Sequence, residues 1–150
     1  MMLTDLAQKE AVTTLIRSTH AVVRSEYKIA RSKEVIAAAL GELPRTDTIL
    51  IVTASEFMVY WGMYLNKYSM MSVASGRYHL ITPGCLRNDY ERVRGMNTVV
   101  LDQIPLGPAT ILAAAVVSNA AKRVWVISKP DFDLNYSMFL GIFNTINIKP

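Results

Sequence analysis

The chain has 150 residues, 51% of them hydrophobic and 19% charged, with a formal net charge of +4 at pH 7. That length suits one domain with a real core, and that balance excludes a disordered chain. No run reaches the ~18–20 apolar residues of a membrane span, because Pro105, Pro108 and Asn119 interrupt the nearest, Ile104 to Ala121. The start, Met-Met-Leu-Thr-Asp-Leu, lacks the basic residues and apolar run of a signal peptide, so the expected compartment is cytoplasmic. A single cysteine, Cys85, excludes an internal disulfide and a thiolate-rich zinc site, and with only His20 and His79 beside it no metal site is expected. Neither His has a spacing that pairs it with the thiol, so Cys85 reads as inert.

Thr4 or Asp5 can cap a first helix running to about Thr19, and His20 to Arg24 reads as a short strand. Ser25 to Arg31 is polar; Ser32 to Leu40 then has helical spacing, with Val35, Ile36, Ala39 and Leu40 on one face. Gly41 and Pro44 end that helix. Thr48 to Thr53 is the clearest strand, β-branched and almost wholly apolar. Ser55 is placed to cap a helix from Glu56 to about Tyr68, whose apolar positions run nearly all the way round and predict burial on more than one side.

Val73 and Tyr78 to Thr82 suggest a strand or hairpin around Ser75-Gly76, broken by Pro83-Gly84. Leu86 to Val93 reads as a short polar helix or ordered loop, and Thr98 to Leu101 as a strand buried on both faces. Ala109 to Ala121 is a small-residue helix, and Val124 to Ile127 a further buried strand. In the tail, Asp131 to Pro150, the stretch Phe139 to Ile148 suits an extra strand or an arm on a neighbour. Strands alternating with helices predict one α/β domain over residues 1–150, a three-layer, mostly parallel sheet flanked by helices.

In such sheets ligands sit outside the carboxyl ends of the strands, and Asp102 ends one of them. The order of the pieces from Leu6 to Pro130 resembles the P-loop NTPases, with their RecA-like fold, and most of all the ATPase domains of helicases and of viral DNA-packaging terminase large subunits. Gln8 stands where those families carry an adenine-reading glutamine, and His20 to Lys33 resembles their strand, phosphate loop and helix. Ile49 to Ser55 looks like the second strand and its turn, which in helicases touches nucleic acid. Arg94-Gly95 with Val99 to Asp102 resembles the approach to the magnesium-binding acid, and Val126 to Pro130 the following strand with its Ser/Thr-Pro motif.

The departures from that pattern carry the functional expectation. A phosphate loop needs glycines to turn backbone N–H groups onto the phosphates, and a hydroxyl for magnesium. Aligned on Lys33, this chain has Tyr27 and Ser32 at the glycine positions and Glu34 at the hydroxyl position. Gln103 follows Asp102 where the family keeps a glutamate to activate water, and an amide cannot accept that proton.

The resemblance therefore implies a degenerate phosphate loop and a catalytically inactive relative, possessing no catalytic residue. ATP with magnesium, if held at all, would rest on Lys33 and Asp102 with Gln8 reading the base. Arg24, Lys28, Arg31, Arg87, Arg92 and Arg94 are the candidate nucleic-acid contacts. The expected role is binding of nucleic acid, or docking on a partner ATPase or on itself as a homo-oligomer, with no membrane. A viral origin, and hence a host cytoplasm, would suit so stripped a domain. The alternatives are an unorthodox ATPase completed by a neighbouring subunit, and a structural or inhibitory protein that keeps the fold as scaffold.

Overall fold

The computed structural model describes residues 6–24, 29–69, 76–105 and 107–128. Over them helix and strand alternate: α1 (Leu6–Ile16), β1 (His20–Arg24), α2 (Ile29–Gly41), β2 (Ile49–Val52), a 3-10 turn (Ser55–Phe57), α3 (Met58–Ser69), β3 (Tyr78–Ile81), α4 (Pro83–Asp89), β4 (Thr98–Asp102), α5 (Pro108–Asn119) and β5 (Arg123–Ser128). The described strands form one sheet in the order β1-β5-β4-β2-β3, with every neighbouring pair parallel. This is the expected parallel α/β architecture. No described helix is long and apolar enough to cross a membrane.

Topology decides the layers. From β1 the chain crosses to β2 and β3, then turns back to β4 and β5. Right-handed crossovers made in opposite directions place their helices on opposite faces of a sheet. The core divides accordingly. Ile49, Ile51, Val100, Trp125 and Ile127 pack with Leu15, Ile36, Leu40, Trp61 and Leu65, on the face of α1, α2 and α3. Leu50, Val52, Val99, Leu101, Val124 and Val126 pack with Leu86, Ala113, Ala114 and Val117, on the face of α4 and α5. Successive residues of a strand thus enter different cores, which is why β2 and β4 are buried along their whole length.

Several boundaries differ from the sequence reading. The helix expected from Ser32 starts at Ile29, since Ala30, Arg31 and Lys33 are all good helix formers. Pro83-Gly84 ends the strand before it, as expected, and also begins α4: Pro83 sits in the first turn, where its missing N–H costs nothing, and the Thr82 hydroxyl accepts from the Cys85 N–H at 3.2 Å. Ser55 is not a cap; Ala54 holds that place in extended backbone with no side-chain bond. The described part of the expected hairpin, Tyr78–Ile81, pairs in parallel with β2, while Val73 and Ser75 lie outside the described residues. The tail from 129 onward lies outside them too.

α3 corrects a larger expectation. It buries only Trp61 and Leu65, and Val59, Tyr60 and Met63 stay exposed. The helix rests on one face of the sheet, so a single stripe suffices to hold it.

Polar side chains tie the amino ends of the strands together. The buried Arg77 guanidinium donates to the carbonyls of Leu43, Pro44 and Asp47 at 3.1, 2.9 and 3.2 Å, holding the turn after α2. Arg123 pairs with Asp47 at 2.9 Å, and the Asn97 Oδ1 accepts from the Thr48 N–H at 2.8 Å.

The α2–α3 contact is close enough to require a glycine. A Cβ on Gly41 would lie 2.6 Å from the Tyr68 carbonyl oxygen, whereas one on Gly62 of α3 would meet nothing within 4 Å. Gly41→Ala is expected to destabilise the fold by about 1–3 kcal/mol through overpacking against backbone. Gly62→Ala should be neutral or stabilise by up to about 1 kcal/mol, as glycine is a poor helix interior residue. Urea unfolding of both variants checks the contrast.

Candidate functional site

β2 and β4 are neighbours, yet one hands the chain to α3 and the other to α5, on opposite faces. A crevice opens at the carboxyl ends of such a pair. Thr53 follows β2 there, and Asp102 ends β4. By the two-residue period of a strand, Thr53 shares the side of Ile51 and Asp102 the side of Val100. Both therefore point toward α2 and α3, and both are buried, at 0% and 1% exposure.

Lys33 arrives from α2. It falls three, four and seven residues before Ile36, Ala37 and Leu40, which are all buried, so it occupies the inward stripe of the helix. Its side chain is 0% exposed and its Nζ lies 3.4 Å from Asp102 Oδ2. The ammonium also sits 4.2 Å from the centre of the Phe57 ring. Among the described residues no acceptor meets Nζ in hydrogen-bond geometry, so the attraction to Asp102 is a charge pair and not a directed bond.

Directed bonds to the same oxygen come from elsewhere. The Thr53 hydroxyl donates to Asp102 Oδ2 at 2.8 Å, and the Trp61 indole N–H donates to it at 2.9 Å. The Gln103 amide lies 3.4 Å from the other oxygen, Oδ1. Gln103 itself has φ of 50°, in the left-handed region that a glutamine seldom visits, and its N–H is held by the Ile127 carbonyl. One carboxylate thus joins α2, the end of β2, α3 and β4.

Glu34, next after Lys33, points a different way. It pairs with Lys67 of α3 at 3.4 Å, near the surface. The hydrogen bond to Tyr68, then the charge of Glu34, hold the Lys67 ammonium above its ordinary range against its desolvation. Burial likewise raises the phenols of Tyr64 and Tyr68. This seam closes the outer side of α2 against α3.

Of the predicted site residues, then, Lys33 and Asp102 come together. Gln8 lies in the first turns of α1, half-buried. Lys28 and the side chains of Arg24 and Arg31 lie outside the described residues. Arg87 is exposed on α4 and donates to the Thr110 hydroxyl at 2.9 Å. Arg92 and Arg94 are exposed in the turns that return the chain to the start of β4, at the opposite end of the sheet from Asp102, where they pair with Asp89 at 3.7 Å and Glu91 at 3.5 Å. Arg92 and Arg94 are thus partly neutralised and lie away from Asp102, whereas Arg87 reaches the first turn of α5.

Thr53, Phe57 and Trp61 were not among the predicted site residues. The signals for two of them were present: Thr53 shares parity with Ile49 and Ile51, and Trp61 with Leu65 has the four-residue spacing of a buried stripe.

No protein-family model matches the chain, and no curated protein is similar to it by sequence. Among solved structures the chain is similar to the crystal structure of the Pyrococcus furiosus Hef helicase domain, with a TM-score of 0.55 and 12% identity. The likeness covers 97% of this chain and 36% of that one. At this identity it establishes a shared helicase-like fold.

The charge pair makes a direct prediction. Lys33→Met and Asp102→Asn should each destabilise the protein by roughly 3–5 kcal/mol, since each leaves a buried charge alone. The double variant should be more stable than the sum of the two losses allows. Chemical denaturation of the four proteins measures the coupling; a neutral Lys33→Met would show the lysine to be solvated.

Proposed function

We propose that this chain is a helicase-fold module that does not turn over nucleotide and acts by binding, to a partner protein or to nucleic acid. The observation that carries the reading is the buried Lys33–Asp102 pair. These are the two groups that, by resemblance, would hold the phosphates and the magnesium, and each has the other as its counter-charge inside the fold. The path of the chain supports the same view. Positions 29–32, aligned with the second half of a phosphate loop, are already the first turn of α2, so the chain there is helical and not a glycine-turned loop. Gln103 in place of a general base agrees with both.

Two surfaces could serve binding. Val59, Tyr60 and Met63 form an exposed apolar strip on α3 and favour a protein partner, such as a related ATPase lobe or a second copy. Arg87 and the half-neutralised Arg92 and Arg94 favour nucleic acid more weakly. A second reading, a resting ATPase whose Lys33 swings out when a neighbouring subunit completes the site, draws on the same juxtaposition of lysine and acid.

Thermal unfolding with ATP and magnesium separates the two. Ligand at 100 times its Kd stabilises a fold by about 2.7 kcal/mol, a clear rise in Tm; the proposal expects no rise. Gln103→Glu, which restores only the base, should likewise yield no hydrolysis. A nucleotide-dependent rise in Tm, or turnover lost on Lys33→Ala, would favour the resting enzyme.

A further inference from the structure

The fold implies a divalent cation at the acid that ends β4, so the surroundings of Asp102 can be tested for one. A hard cation is bound by oxygen acceptors, six of them around magnesium, several usually water. Asp102 is instead surrounded by donors. Oδ2 accepts from the Thr53 hydroxyl at 2.8 Å and the Trp61 indole at 2.9 Å, with the Lys33 ammonium 3.4 Å away. Oδ1 has the Gln103 amide at 3.4 Å. Among the described residues no cluster of three or more His, Cys, Asp or Glu exists to share a metal. The residues present do not fit the cation.

Within that set the indole differs from the rest. A hydroxyl can turn from donor to metal ligand, and a lysine can swing on four rotatable bonds. An indole N–H only donates, and the Trp61 ring is 0% exposed on a helix packed tightly against α2. It can neither ligate a cation nor step aside without moving α3. We propose that Trp61 is a built-in plug, an indole donor that permanently closes Asp102 to divalent cations. The inference rests on the proposed loss of nucleotide turnover and names the residue that seals the site.

The consequence is visible in the side-chain N–H signals of the chain's two tryptophans, Trp61 and Trp125. Trp125 lies in the same core but donates to the Ser18 carbonyl at 3.2 Å, just before the amino end of β1, and serves as the more distant reference. In a ¹⁵N-labelled sample, Trp61→Phe identifies the Trp61 signal by its loss. Manganese is then titrated into the wild-type protein with and without ATP. The plug predicts that the Trp61 signal keeps its intensity relative to Trp125 throughout, because no paramagnetic ion reaches Asp102. Selective broadening of the Trp61 signal by manganese overturns it. So does a Trp61 signal that exchanges with solvent as fast as that of an unfolded chain, since the indole would then not be held.

Should Trp61→Phe fail to fold, Trp125→Phe gives the same assignment by elimination. The outcome is separable from that of the functional reading. ATP that raises Tm while leaving the Trp61 signal sharp would contradict the functional reading and leave the plug standing. Broadening without any turnover would do the reverse.

Discussion

Burying a lysine and an aspartate together is the constraint on which this structure depends. Each ion loses its hydration, and their attraction offsets that loss only when the remaining lone pairs are satisfied. Asp102 meets the condition through Thr53 and Trp61, two short bonds from two different elements. Lys33 meets it less fully, with a charge at 3.4 Å and the face of Phe57 in place of directed acceptors. Everything nearby follows from keeping these groups in place. α2 must present Lys33 inward, α3 must bring Trp61 to the end of β4, and the two helices must approach closely enough that Gly41 has no room for a side chain.

The sheet was largely legible in the residues. Ile49 to Val52 and Val99 to Leu101 are unbroken apolar runs of strand length, and such runs belong to parallel strands covered on both faces. Other features were hidden for definite physical reasons. Pro83-Gly84 reads as the end of a strand, yet the same proline also suits the first turn of a helix, and the Thr82 hydroxyl ahead of it caps that turn. The apolar circumference of α3 suggested burial on more than one side, but aromatic and methionine side chains can remain at a surface, as Tyr60 and Met63 do.

The candidate site was half visible. Lys33 and Asp102 stood out by their place in the pattern, and a helix face containing Ile36 and Leu40 already includes Lys33 when it is extended one turn back. That the two would meet directly depends on three-dimensional packing across the sheet. The arginines illustrate the opposite limit. Arg77 belongs by sequence to the same basic stretch as Arg87, Arg92 and Arg94, yet it is buried and spent on carbonyls of the α2–β2 turn. Charge counts along a chain do not distinguish a cation that holds a loop from one free to meet a phosphate.

A helicase-like fold with its acid and lysine turned on one another is, on the reading proposed, a binding module retaining the architecture of an engine. The most direct test is the solvent accessibility of Lys33, read by amine acylation of the native protein and mass spectrometry. Lys9 and Lys122 are exposed and provide the reference rates. The account predicts that Lys33 stays unlabelled until the protein unfolds, with or without ATP and magnesium. Native labelling of Lys33 at the rate of Lys9, suppressed by added nucleotide, would contradict it.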